Sequence, residues 1–267
     1  MKVSIVIPVL DEEEYILPCL ESVKSFNKPN NVQLTTHIVD GGSNDNTVSL
    51  VKNFIHNNKN YILLDNPRKI QPAAMNLIIK NFNSDFLMRL DAHCIYPSNY
   101  LEKCLDTAIR TNSENVGGVL ETLPGGRGIG AKIVQNISSN WFGVGGSGFR
   151  TGMKEGKTDT VPFGFFSKKA IQINGFFDEE LVRNQDDEFN ARIISKGWKI
   201  LCDSNLVVNY VARNNFIDLW KMFFQYGFYK PVAAFKLKRI YTFRQIVPLF
   251  SLLFGITLTL LSFIDQI

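Results

Sequence analysis

The sequence predicts an α/β fold: an open, mostly parallel sheet flanked by helices, followed by a basic and apolar C-terminal segment. Two observations lead there. Strongly apolar, β-branched runs alternate with helix-like segments from Val3 to Leu90, and the runs end in polar, turn-forming clusters. Ligands of such sheets bind beyond the carboxyl ends of the strands, so those clusters are where chemistry is expected.

Val3 to Val9 is nearly all apolar, the pattern of a parallel strand covered on both faces, and Pro8 closes it. Asp11-Glu12-Glu13-Glu14 offers an N-cap and an acidic first turn for a helix from Tyr15 to Phe26. Gln33 to Val39 is a second strand, running into the turn Asp40 to Thr47 and a helix from Val48 to about His56. Tyr61 to Leu64 is a short third strand, Pro72 to Asn81 a helix, and Asp85 to Leu90 a fourth strand. The second half is looser. Leu123 to Gly152 is glycine-rich but lacks the G-K-[ST] ending of a phosphate loop, which favours a mobile acceptor-side loop. Val161 to Phe166 reads as a short strand, Asn174 to Asp178 as a turn, Asp186 to Ser195 as a helix stopped by Gly197, and Trp198 to Cys202 as a strand. Trp220, Phe223, Phe224 and Phe228 fall at helical spacing, which suits either a core stripe or an interfacial helix.

Hydrophobic residues make up 45% of the 267 and charged residues 20%, as in a packed globular protein. The formal charge of +4 suits an anionic partner, a diphosphate or a lipid surface, without pointing to nucleic acid. The four cysteines form no C-x-x-C pair, which argues against a zinc knuckle or a disulfide framework and for a reduced, cytosolic setting. Met1-Lys2 leads straight into a strand, so no signal peptide is expected. Ile246 to Ile264 is an uncharged apolar run close to the ~20 residues of a bilayer crossing. Lys230, Lys236, Lys238, Arg239 and Arg244 precede it and would hold that flank in the cytoplasm. The competing reading of the run is a buried core helix. The expected division is a main domain over 1–215, an amphipathic, basic juxtamembrane segment over 216–245, and a candidate transmembrane helix over 246–264, anchored at the cytoplasmic face of the cell membrane.

The most informative stretch is Arg89-Leu90-Asp91-Ala92-His93, at the end of the fourth strand. On extended backbone Asp91 and His93 point to the same side. A carboxylate and an imidazole so placed could hold a divalent cation against a diphosphate. A second acidic cluster surrounds Asp186.

These residues, in this order, resemble the family-2 glycosyltransferases of GT-A fold. Ile7-Pro8-Val9-Leu10-Asp11-Glu12 is similar to that family's first strand and turn, and Val39 to Thr47 to its second-strand signature. Asp91-Ala92-His93 sits where the family carries D-x-D, and Gln185-Asp186 where it carries E-D. The D-A-H form and Val161-Pro162-Phe163-Gly164 resemble the succinoglycan-type, ExoA-like subgroup. The resemblance covers residues 1 to about 230. It implies a GT-A catalytic domain over 1–215 that moves a sugar from a nucleotide diphosphate, most often uridine diphosphate, to an acceptor hydroxyl with inversion.

The same resemblance implies the site. Asp91 and His93 would hold Mn2+ or Mg2+, and the softer His93 would favour Mn2+. Pro8, Val9, Leu10 and Glu12 would line the nucleoside pocket, with Asp91 and Ala92 against the donor; Glu12 serves equally as a charge at a helix start. Asp40 would accept from the base ring or else cap its own turn through Ser43. Arg68 and Lys69 either reach the diphosphate or lie solvated. Asp186 is the expected general base, with Asp187 taking the role if the register slips by one. Glu188 and Arg192, four apart, suit an ion pair. Gln225-Tyr226-Gly227-Phe228-Tyr229 lacks the Q-x-x-R-W of processive synthases, which implies transfer of one sugar to a saccharide acceptor, lipid-linked if the chain is held at a membrane. Other classes fit less well. A nucleotidyltransferase needs a basic, Gly-rich loop where this chain has Asp11 to Glu14, and a dehydrogenase needs G-x-G-x-x-G after the first strand. A membrane-bound nucleotide-sugar binding protein would keep Asp40 and Asp91 without needing Asp186.

Overall fold

The computed structural model describes residues 1–141, 143–144, 146–237, 254–255 and 257. The apolar run 246–264 and the cations Lys238, Arg239 and Arg244 lie outside the described residues, apart from positions 254, 255 and 257 of that run.

The first half alternates as the pattern requires: β1 (Lys2–Val9), α1 (Ile16–Lys24), β2 (Gln33–Asp40), α2 (Thr47–His56), β3 (Tyr61–Asp65), α3 (Gln71–Ile79) and β4 (Phe86–Arg89). These four strands pair in parallel in the order β3-β2-β1-β4. In-register pairing of Val9 with Asp40, and of Val6 with Arg89, brings the carboxyl ends of β1, β2 and β4 to one edge. Alternating residues of β1 serve two cores. Ile5 and Ile7 pack with Leu20 and Val51 on one face, while Val6 packs with Met75 and Phe166 on the other. Burial on both faces is why the strand is apolar throughout.

The second half comprises β5 (Cys94–Ile95), α4 (Tyr100–Thr111), β6 (Asn115–Leu123), α5 (Ile129–Ser139), α6 (Gly148–Thr151), β7 (Gly156–Lys157), β8 (Phe165–Ser167), α7 (Lys168–Asn174), α8 (Gln185–Ser195), β9 (Ile200–Val211) and α9 (Phe216–Leu237). Here the expectation of a mostly parallel sheet needs correction. The order continues β4-β8-β6-β9-β5 with β7 also on β9; β8 is antiparallel to both neighbours, β5 and β7 run antiparallel to β9, and only β6–β9 is parallel. The sheet is mixed. The expected strand at Val161 also starts late, at Phe165. Phe163 (φ 65°) and Gly164 (φ 84°) are left-handed, which a ladder cannot continue. A Cβ at Gly164 would lie 2.4 Å from the Phe166 ring, so only glycine fits the turn.

In α9 the aromatic stripe is not core. Its buried residues are Leu219 and Ala233, while Trp220, Phe224 and Phe228 stand 60% or more exposed. Among the described residues no helix is long and apolar enough to cross a membrane.

Candidate active site

The loops after β1 and β2 are fastened together at the strand ends. Asn44 N donates to Asp11 Oδ1 (2.7 Å), and Asp11 N donates to Ser43 Oγ (2.9 Å). Asn46 N donates to Glu13 Oε2 (2.9 Å), and Glu12 N to Thr47 Oγ1 (2.7 Å). The acidic run therefore does not cap α1 as expected: that helix follows Tyr15 with no side-chain cap and no acid in its first turn. Left-handed Asp11 (φ 53°) turns the chain toward the second loop before the helix begins.

Asp40 is buried at the end of β2. Its carboxylate accepts from Gly42 N (2.9 Å), Ser43 N (3.2 Å) and Ser43 Oγ (2.6 Å), which is the turn-capping role. The Val9 carbonyl accepts from Gly41 N (2.8 Å), and Leu10, beyond Pro8 and Val9, is exposed. Arg68 is paired with Glu179 (2.7 Å).

Asp91 and His93 are neighbours for a different reason than strand alternation. The strand ends at Arg89, and residues 90–93 form a turn in which His93 N donates to Asp91 Oδ1 (3.1 Å). The turn is braced from below, where the Tyr96 hydroxyl accepts from Asp91 N (2.8 Å). Ala92 is buried in the first core, so it can meet a ligand only through its backbone. The His93 ring lies against Tyr15 (centroids 4.4 Å apart), and its Nε2 is 2.9 Å from Glu12 Oε1. Burial raises the Glu12 carboxyl above its ordinary range, with His93 opposing the rise. A carboxylate and an imidazole on one turn are of the type that would hold a divalent cation and, through it, supply positive charge to a diphosphate. Among the described residues no group of three or more His, Cys, Asp or Glu side chains could hold a metal ion, so Asp91 and His93 would supply two donors at most.

Asp186 opens α8 and sits over the end of β4, its Oδ2 3.7 Å from Arg89 Nη1. Buried Phe189, one turn on, stacks on Phe177 (4.1 Å) and fixes the helix against the second core. Packing around the Asp186 carboxyl raises its pKa, Asp187 raises it further, and Arg89 opposes both. Asp187 is taken: Lys230 of α9 pairs with it at 2.9 Å. Asp186 has no cation at hydrogen-bond distance among the described residues, Arg89 Nη1 standing 3.7 Å off. Glu188 and Arg192 form the expected ion pair (2.7 Å).

Two residues of this arrangement went unassigned in the sequence. Arg89 is a buried cation whose only carboxylate within ion-pair distance, among the described residues, is Asp186. Gln71 at the start of α3, with its amide oxygen turned to Arg89, accepts from Nε (2.8 Å) and Nη2 (2.5 Å) and also meets Gln185. The signal for Arg89 was present: a charge at the end of an otherwise apolar buried strand must be paired.

A family described as glycosyl transferase family 2 matches residues 4–171. The chain belongs to that family. It is a glycosyltransferase, similar to the succinoglycan biosynthesis protein ExoA of Rhizobium meliloti (strain 1021), at 29% identity over 92% of this chain and 74% of that protein. It is also 31% identical, over 84% of this chain and 71% of the relative, to the dolichyl N-acetyl-alpha-D-glucosaminyl phosphate 3-beta-D-2,3-diacetamido-2,3-dideoxy-beta-D-glucuronosyltransferase of Methanococcus voltae. Solved structures share the GT-A-type fold. The mannosyltransferase PcManGT from Pyrobaculum calidifontis, in complex with GDP-Man and Mn2+, aligns with a TM-score of 0.68 at 14% identity over 92% of this chain and 67% of that one. TarS 1-349 of S. aureus in complex with UDP aligns at 0.58 and 16% identity over 86% of this chain. The chain spans 65% of that TarS structure, so it is shorter than the relatives it matches.

Proposed function

We propose that this chain transfers one sugar from a nucleotide diphosphate sugar, a UDP-sugar, to an acceptor hydroxyl with inversion, in the building of a polysaccharide or glycan. The observation that carries this is the placement of Asp186 over the same strand end whose following turn bears Asp91 and His93. Inversion in one displacement needs a base for the acceptor proton, and a carboxyl with a raised pKa, not neutralised by a direct hydrogen-bonded ion pair, suits that task. Asp91 and His93 would hold Mn2+ or Mg2+, which when bound supplies positive charge to the diphosphate as the glycosidic bond breaks. Pro8, Val9, Leu10 and Asp40 line the strand ends where the nucleoside binds, with the Ala92 backbone beside the donor.

The acceptor is lipid-linked in this reading, at the cytoplasmic face of a membrane. The exposed face of α9 supports it: Trp220, Phe224, Phe228 and Phe235 stand clear of the core, and Lys230 ties the helix to Asp187 beside the base. The basic residues and apolar run that follow in sequence suit the same surface.

The test is a donor screen of UDP- and GDP-sugars with membrane extract as acceptor, with and without chelator. Transfer from a UDP-sugar that chelator stops is the expected result. Asp186→Asn should abolish transfer and leave nucleotide affinity unchanged. Retained turnover in that variant moves the base elsewhere, and nucleotide binding with no transfer from any donor would make the chain a binding protein.

A further inference from the structure

We propose that Glu12 is a positioning residue for the cation site: it holds the His93 ring by Nε2, so that Nδ1 is the nitrogen left to join Asp91 on a divalent cation. This rests on the cation role given above to Asp91 and His93. The Nε2–Oε1 contact is 2.9 Å between side chains only 13% and 14% exposed, so little water competes for it. A ring that donates a single N–H through Nε2 to the Glu12 carboxylate is left with its lone pair on Nδ1. Nδ1 makes no hydrogen bond among the described residues. It is the ring nitrogen nearer its own backbone, and Asp91 Oδ1 accepts from that same backbone at the His93 N–H (3.1 Å).

Glu12 is itself clamped. Its N–H donates to Thr47 Oγ1 (2.7 Å), and its carbonyl accepts from Tyr15 N (3.0 Å) and Ile16 N (2.9 Å). Its second carboxylate oxygen, Oε2, is buried with no partner among the described residues. Burying a carboxylate is costly; the contact to His93 is the largest interaction that offsets it, with the Arg213 charge adding to it. A carboxylate behind a metal-binding histidine fixes both tautomer and ring orientation, and losing it typically weakens metal binding by ~10- to 100-fold.

The experiment titrates Mn2+ into the full chain, alone and with UDP, and reads free Mn2+ by electron paramagnetic resonance and bound imidazole by its nitrogen-14 modulation. The wild type should bind Mn2+ with that modulation present. Glu12→Ala should weaken Mn2+ binding by about 10- to 100-fold and lose the modulation. Glu12→Gln, which keeps the shape and one acceptor oxygen, should fall between, and covers the case in which Glu12→Ala fails to fold. Cation-free UDP affinity, measured in both variants, reads out separately any role of Glu12 in the nucleoside pocket. Unchanged Mn2+ affinity and modulation in the glutamine and alanine variants would overturn the proposal. So would a loss of cation-free UDP affinity at unchanged Mn2+ binding, which would put Glu12 in the nucleoside pocket. If the wild type binds no Mn2+ either alone or with UDP, the cation role of Asp91 and His93 falls as well.

Discussion

Replacing Arg89 by methionine removes the positive charge nearest the proposed base while keeping the volume of a buried side chain. At 3.7 Å a unit charge pair is worth about 4 kcal/mol at an effective dielectric of ~20. Asp186 is 37% exposed, so solvent screening reduces the interaction to roughly 1–2 kcal/mol, near one pH unit. The other charge acting on the carboxyl is Asp187, which raises its pKa and is itself paired with Lys230. Arg89 favours the ionised form of Asp186, so its loss raises a pKa that burial has already raised. A base must be ionised to act, and activity falls as pH drops through its pKa. Arg89→Met should therefore shift the acidic limb of kcat/KM about one unit to higher pH, with the donor that the screen identifies. Titration of the Asp186 carboxyl by carbon-13 NMR should move the same way. Arg89→Lys keeps the charge but not the fork that Gln71 accepts from, and should recover most of the shift. An acidic limb that stays in place in Arg89→Met, or moves to lower pH, would refute the assignment of Asp186 as the group that Arg89 sustains.

Two further outcomes follow from the contacts. Asp40→Ala leaves Gly42 N, Ser43 N and Ser43 Oγ without their acceptor and should cost about 1–3 kcal/mol in urea unfolding, since a partly buried turn loses its satisfied donors. Changing Trp220, Phe224 and Phe228 together to serine should leave stability within about 1 kcal/mol, because the three are mostly exposed, and should weaken binding to anionic lipid vesicles several-fold; unchanged sedimentation with vesicles would remove α9 from the membrane reading.

How much was legible depends on how local each signal is. The strands and helices from Lys2 to Arg89 follow from periodicity and turn residues within short windows, and they form nearly where expected. The ion pair of Glu188 with Arg192 is set by helical spacing alone and also forms. The expected cap of α1 did not, because the Asp11 and Glu13 carboxylates found donors, and the Glu12 N–H an acceptor, after β2, some thirty residues away in sequence, that a local window does not contain. The antiparallel placement of β8 between β4 and β6 was hidden for a similar reason: a three-residue strand carries too little pattern to announce its partners.

The amino-acid sequence by itself determined the class of fold, the family, and which residue types stand at the strand ends, since apolar runs and polar turns encode burial and reversal locally. Tertiary structure decided what those residues do to one another. It set Lys230 on Asp187, placed Arg89 beside the Asp186 carboxylate, and turned Glu12 onto His93. Each of these pairings joins elements far apart in the chain, and its strength comes from exclusion of water, which only packing of the sheet and its flanking helices can supply.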